Sequence, residues 1–364
     1  MSTIRDRDIF GYEKRIEELM QQLSDIPWFK KFVDNIPPEI IRDAFGNLSN
    51  QVGINKKNNH VIEITLKKPQ EDEEGRWHYF MAEPYPGIGL LAGNITGVPY
   101  FSNVGAGMPQ LTRAVIHYCM KGRCEIHTKN GMYAFMEPGV LCFEWHKIQE
   151  KSMEFYEGTY EGVEITFDLD MFSKEQAAYL KYLGIDIEYL REQYDQDAEF
   201  YIGNVSQPLR DTMAELNAAL MEDDPDIVTL LLDVLRINNM VRTGHVKTIG
   251  SRFYLTMGQR KSCSEIHDHI LSHMAEDIMV EQFTEKYNLS HVSLNKWFET
   301  MYGDTIHKYM RSCRMKYAAR QIKTKDISIA EIAAAVGYDN QGKFSSAFKK
   351  YFGITPLEYR RRSV

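Results

Sequence analysis

One pattern of apolar residues occurs twice in this chain, fifty residues apart, and it constrains the C-terminal third more than any other feature. Leu294-x-x-Trp297-Phe298-x-x-Met301-Tyr302-Gly303 is echoed by Phe344-x-x-Ala347-Phe348-x-x-Tyr351-Phe352-Gly353. Thr305, Tyr309 and Arg311 return as Thr355, Tyr359 and Arg361. Apolar residues at i, i+3, i+4 and i+7 form one face of a helix, and a glycine at the end is a common C-terminal stop. A shorter helical pattern precedes each block: Val280-x-x-Phe283-Thr284-x-x-Tyr287 and Ile329-x-x-Ile332-Ala333-x-x-Val336. Ser328-x-x-Glu331 has the capping-box form, and Ser290 and Asp339 or Asn340 can cap the second helix of each pair. Short helix, tight turn, second helix is the helix-turn-helix layout, which occurs here twice.

Between the units, Thr305 to Lys323 contains neither Gly nor Pro, so one helix is expected, with Ile306, Tyr309, Met310, Cys313, Tyr317 and Ile322 on its apolar side. Nineteen residues at ~1.5 Å each span ~28 Å, close to the ~34 Å of one DNA turn. Charge points the same way. The chain carries a net charge of -8, yet from Lys286 onward 15 Lys and Arg face 6 Asp and Glu. A basic tail on an acidic body suits phosphate binding, although a solvated basic surface has the same composition.

The front two-thirds reads differently. Trp28, Phe29, Phe32 and Val33 cluster at helical spacing, and Val61 to Leu66 is strand-like. From Trp77 to about Leu169 come short β-rich runs between Gly and Pro turns, such as Ala114 to Cys119 and Gly162 to Phe167. Many short strands with turn signals indicate a small β-sandwich or barrel. From Asp226 to Val241 an apolar stripe returns at helical spacing. Five cysteines without CxxC pairs fit reduced thiols. No run reaches the ~18 apolar residues of a membrane span, and the N-terminus lacks a signal-peptide core. A cytoplasmic protein without membrane contact is expected.

Residues 262–362 resemble the DNA-binding domain of AraC/XylS-type regulators. The match is carried by Ile329-Ala-Glu-Ile-Ala-Ala-Ala-Val-Gly-Tyr338, Phe344-Ser-Ser-Ala-Phe-Lys349 and Gly353-Ile-Thr-Pro-Leu-Glu-Tyr-Arg360. Thr284 stands where the family usually has Ala. The resemblance implies an α+β protein: an N-terminal β-rich cupin-like barrel with flanking helices, then an all-α domain of two helix-turn-helix units joined by a long helix. The expected division is a helical extension over 1–60, a cupin-like β domain over 61–170 and a helical dimerisation region over 171–243. A linker over 244–261 and the DNA-binding domain over 262–364 complete it.

It further implies base-reading positions: His291, Val292, Asn295 and Lys296 on the first recognition helix, and Asn340, Gln341, Lys343 and Ser346 on the second. These residue types suit the task, because Asn and Gln bond adenine, Lys bonds guanine and Val meets a thymine methyl. Arg314, Lys349, Lys350, Arg360 and Arg361 are expected on phosphates, with an intradomain ion pair that holds the linker helix the alternative for Arg314. Ile227, Leu231, Val234, Leu235 and Asn238 are the expected dimerisation stripe. The implied partners are double-stranded DNA, RNA polymerase, an unidentified small-molecule effector and a second copy of the chain.

No catalytic residue, cofactor or metal is expected. Gly131-x6-Pro138-Gly139 looks like the cupin turn, but a close His-x-His with a downstream Glu is missing. His117, His127 and His146, with Glu125 or Glu144, would have to converge to bind a metal. A metal-dependent cupin enzyme fused to a DNA-binding domain is the second reading. A helical interaction module without DNA binding is the third.

Overall fold

A computed structural model of the chain describes residues 26, 52–67, 76–98, 101–104, 112–127, 131–146, 153–155, 158–195, 201–248, 254–276, 278–324 and 327–362. They belong to two compact units: residues 1–128 with 135–252, and residues 129–134 with 253–364. The helical pattern around Trp28 to Val33 lies outside the described residues.

The first unit is built on strands. β1 (Val52–Lys56), β2 (Val61–Lys67), β3 (Arg76–Tyr85), β4 (Ile88–Val98) and β5 (Phe101–Val104) are followed by β6 (Arg113–Lys121), β7 (Cys124–His127) and β8 (Met132–Met136). Then come β9 (Val140–His146), β10 (Met153–Phe155), β11 (Gly158–Asp168), β12 (Tyr201–Val205) and β13 (Val246–Thr248). The larger sheet has the order β1-β2-β3-β4-β11-β6-β9-β12-β13, antiparallel throughout; β8-β7-β10-β5 belong to the smaller one. Two antiparallel sheets are what the short alternating runs led one to expect. Three local expectations change. Val52–Lys56 is a strand inside the stretch read as a helical extension, because Asn58 accepts from the His60 and Val61 amides and closes a hairpin onto β2. Tyr201–Val205 is a strand within the helical region, paired to β9. The stretch read as linker includes β13, which pairs with β12.

Among the described residues, the α-helices of this unit are α1 (Lys174–Tyr182), α2 (Ile187–Asp195), α3 (Gln207–Leu220) and α4 (Ile227–Arg242). They bury Leu180, Leu190, Met213, Leu216, Val234 and Ile237 in one cluster with Ile116, Leu141, Phe143, Ile165 and Phe167 of the larger sheet. β6 is buried on both faces, so its sequence lacks the alternation of a half-exposed strand.

The stripe on α4 therefore meets its own unit. Val234 is fully buried, and Ile227, Leu231 and Leu235 pack against the same cluster. Asn238 donates to the Gly184 carbonyl at 2.8 Å. The outward residues are Val228 and Leu232, 59% and 58% exposed. The expected dimerisation stripe is thus an internal packing face, since periodicity identifies a face without saying what covers it.

The second unit contains β14 (Tyr254–Thr256), paired antiparallel with residues 132–134, and then only helices. α5 (Met257–Ser272) starts inside the expected linker, because Thr256 and Gln259 form a reciprocal capping box that ends the strand and begins the helix. α6 (Val280–Tyr287), α7 (His291–Tyr302), α8 (Ile306–Thr324), α9 (Ile329–Ala335), α10 (Gln341–Phe352) and α11 (Pro356–Arg362) follow. No helix among the described residues is long and apolar enough to cross a membrane.

The packing of α4 separates two substitutions. Val234→Asp places a carboxylate in the core and is expected to cost on the order of 2–5 kcal/mol, read as a lower urea midpoint. Leu232→Glu, on the outward face, should stay within ~0.5 kcal/mol of the parent.

Candidate nucleic-acid interface

The fifty-residue repeat is a repeat in space. Phe298, Tyr302 and Tyr309 form an aromatic triad with centroid separations of 4.7, 5.4 and 5.2 Å. Phe348, Phe352 and Tyr359 form the same triad at 4.6, 5.4 and 5.3 Å. In each unit the triad joins the second helix of the pair to the helix that follows it. Leu294, Phe298 and Met301 are buried under α7, and Phe344, Ala347 and Phe348 under α10. Burying one face of each helix leaves the other for a partner.

The ends of these helices are closed as the residues require. Ser290 accepts from the Ser293 amide at 3.1 Å, and Asn340 from the Gly342 and Lys343 amides at 2.7 and 3.2 Å. Gly303 and Gly353 take the left-handed conformation at φ 84° and 81°. Thr284 donates to the Glu281 carbonyl at 2.8 Å, which accommodates its hydroxyl where an Ala is usual. Gly342 also has a local reason: a Cβ there would lie 2.9 Å from the Asn340 oxygen that caps the helix.

His291, Val292 and Lys296 are exposed on α7, with Val292 78% exposed. Gln341, Lys343 and Ser346 are exposed on α10, as is Asn340 at its cap. His291 pairs with Glu281 at 3.3 Å. Lys349, Lys350 and Arg361 are exposed. A concavity of about 570 Å³ runs along α10, lined by Arg311, Tyr338, Lys343, Ser346 and Lys350. Arg311 and Tyr338 were not singled out as contacts from the sequence, although the pairing of Arg311 with Arg361 across the repeat marked one of them.

Three residues expected at the nucleic acid are engaged inside the unit. The Asn295 carboxamide donates to the His291 carbonyl at 3.1 Å and accepts from the Ile306 amide at 3.0 Å. Ile306 opens α8, so Asn295 satisfies an amide that has no partner within its own helix. The repeat explains the choice: the position equivalent to Ile306 is Pro356, which has no N–H, and the position equivalent to Asn295 is Ser345. Arg314 donates through Nε to the Met274 carbonyl at 2.8 Å and through Nη2 to the Glu276 carbonyl. Arg360 donates to the Ile327 carbonyl at 2.6 Å.

In the first unit, β6 presents Ile116 and Tyr118 to the helices and His117 to the smaller sheet. His117 Nε2 lies 2.6 Å from the Tyr160 hydroxyl and 3.9 Å from the Cys124 sulfur; Nδ1 lies 3.0 Å from Glu164. Glu125 and Glu144 are also buried. The Tyr79 hydroxyl has no hydrogen-bond partner among the described residues, and burial pushes its pKa up. Among the described residues no three His, Cys, Asp or Glu side chains come together as a metal would need. The side chains of His127 and His146 lie outside the described residues. The five cysteines are buried thiols; burial pushes the Cys119 thiol up to about 12 and the Cys124 thiol well above its usual value, which leaves little thiolate at these two.

If Asn295 caps α8, Asn295→Ala should lower stability by ~0.5–2 kcal/mol, read in thermal melts. Asn295→Asp, which keeps the accepting oxygen, should recover most of that loss.

Comparison with known proteins falls on these same residues. A family model described as a helix-turn-helix domain matches residues 283–362. The probable transcription factor PqrA of Proteus vulgaris is 34% identical over 89 residues, which are 24% of this chain and 73% of that protein. The regulatory protein SoxS of Escherichia coli K12 is 29% identical over 106 residues, 29% of this chain and 99% of SoxS. Among solved structures, the C-terminal domain of the response regulator AraT from Geobacillus stearothermophilus is 33% identical; 28% of this chain and 84% of that one are covered, with a TM-score of 0.27. The likeness therefore resides in the C-terminal unit, and through it the chain belongs to the AraC-type helix-turn-helix family of DNA-binding transcription regulators.

Proposed function

We propose that this regulator reads two half-sites on one face of double-stranded DNA, with α7 in one major groove and α10 in the next. One observation carries the reading: two helices of the same build, each buried on one side by the same aromatic triad, expose their opposite sides. His291, Val292 and Lys296 are the base-facing residues of α7, and Gln341, Lys343 and Ser346 those of α10. Asn340, its oxygen engaged in the cap, contributes through its amide NH2. Arg311, Lys349, Lys350 and Arg361 take phosphates and set register rather than sequence. Asn295, Arg314 and Arg360 serve the frame that holds the helices.

The first unit is proposed to bind a small-molecule effector between its sheets. Buried His117 and Tyr160 beside the half-buried Glu164, together with a Tyr79 hydroxyl that has no hydrogen-bond partner among the described residues, support this, since buried polar atoms ordinarily find partners. Such an effector acts on DNA affinity only through a difference in its own affinity for two arrangements of the protein. A homodimer and a contact with RNA polymerase complete the reading, as the family likeness implies.

The test uses the full chain and a duplex enriched by it from a random-sequence pool. Affinity for the enriched duplex should exceed that for random duplex and fall steeply with salt as counterions are released. Equal affinity for both duplexes would sink the reading. Lys343→Ala should cost ~1–3 kcal/mol on the enriched duplex and far less on random DNA. Lys350→Ala should weaken both alike and reduce the salt slope by about 0.9.

A further inference from the structure

Arg314 lies at the middle of α8, on the segment that the repeat does not duplicate. Its two donor nitrogens reach the carbonyls of Met274 and Glu276, in the loop that joins α5 to the first helix-turn-helix pair. On its other side is the turn of the second pair. Gly337 there has φ +76°, and a Cβ on it would lie 2.8 Å from the Ala275 oxygen and 3.1 Å from Arg314 Nη2. The entry loop of the first pair, the middle of α8 and the turn of the second pair thus meet at one guanidinium. A planar fork with several fixed donors holds two carbonyls in a set geometry, which the rotatable donors of an ammonium do not impose.

The two pairs are also joined through α8 itself. Its first half is buried at Ile306 and Met310, beside α7. Its second half buries Met315, Ala318 and Ile322 against α9 and α10. A lone helix transmits orientation but can bend and twist along its length. The Arg314 contact ties the middle of α8 to the entry loop of the first pair, beside the turn of the second.

We propose that Arg314 is a positioning residue that sets the spacing between the two half-sites the protein accepts. The proposal rests on the reading that α7 and α10 both enter DNA. One extra base pair between half-sites shifts the second by ~3.4 Å and turns it by about 35°, which a rigid pair of helices cannot follow. Without the guanidinium, the two pairs rotate about α8 and follow the DNA more readily. The same geometry explains the absence of a side chain at Gly337, where a Cβ would press on the Ala275 carbonyl.

The experiment compares three duplexes: the one enriched by the full-length chain from a random pool, and the same sequence with one base pair inserted or deleted between its half-sites. The parent chain should bind the altered duplexes about tenfold or more weakly. Arg314→Ala should narrow that ratio by about fivefold or more, with a smaller loss on the altered duplexes than on the enriched one. An unchanged ratio overturns the proposal. So does an equal loss on all three duplexes with a salt slope lowered by about one, the mark of a phosphate contact. Should Arg314→Ala fail to fold by circular dichroism, Arg314→Lys keeps the charge but replaces the rigid fork with rotatable donors on one nitrogen and should give an intermediate ratio; a parental ratio there overturns the proposal equally. A parent chain that enriches no sequence removes the DNA reading itself and this inference with it, whereas enrichment with a spacing-blind effect of Arg314 removes this inference alone.

Discussion

The burial of one aromatic face per recognition helix is the interaction on which the C-terminal unit depends. Phe298 and Phe348 are fully buried, and each is surrounded by the two rings that the repeat places with it. Because that face is covered, α7 can present His291 and Lys296 outward, and α10 Gln341, Lys343 and Ser346. Helices this short are marginal alone, and tertiary packing supplies most of their stability. The caps then determine where each helix begins and ends, and hence which residues stand at its leading end.

The two copies are not equivalent, and the differences are physical. The first unit must hand the chain on to a long helix, so the amide of Ile306 needs an acceptor and Asn295 provides it. The second unit hands on to α11, which begins with Pro356 and needs none; there Thr355 and Glu358 close the end by bonding to each other's amides. α8 also differs from an ordinary amphipathic helix. It is covered on different sides along its length, at Ile306 and Met310 first and at Met315, Ala318, Ala319 and Ile322 later. A single apolar stripe could not serve both neighbours.

The first unit solves a different problem. Helices α1 to α4 cover one face of the larger sheet, and the opposite face of β6 carries His117 and Cys119, also buried. Burial on both sides requires the polar members to find partners inside, and His117 does so with Tyr160 and Glu164. The outcome is a β-rich unit whose larger sheet packs an apolar face against the helices and buries a few polar side chains on the other.

The amino-acid sequence by itself determined the two helix-turn-helix units, their caps, the helix between them and the β-rich character of what precedes. These depend on local chemistry: the period of apolar residues, the hydroxyls of Ser290 and Ser328, and the glycines that end α7 and α10. Only the tertiary structure decided which polar side chains remain for a partner. Asn295, Arg314 and Arg360 occupy positions that suit DNA contacts by residue type, yet each is bonded to backbone groups distant in sequence, 11 residues away for Asn295, 40 and 38 for Arg314 and 33 for Arg360. The stripe on α4 likewise has the spacing of an interface, and its own sheet and helices cover it. Helical period fixes which residues share a face, whereas the partner of that face depends on contacts between distant segments, which no local pattern records.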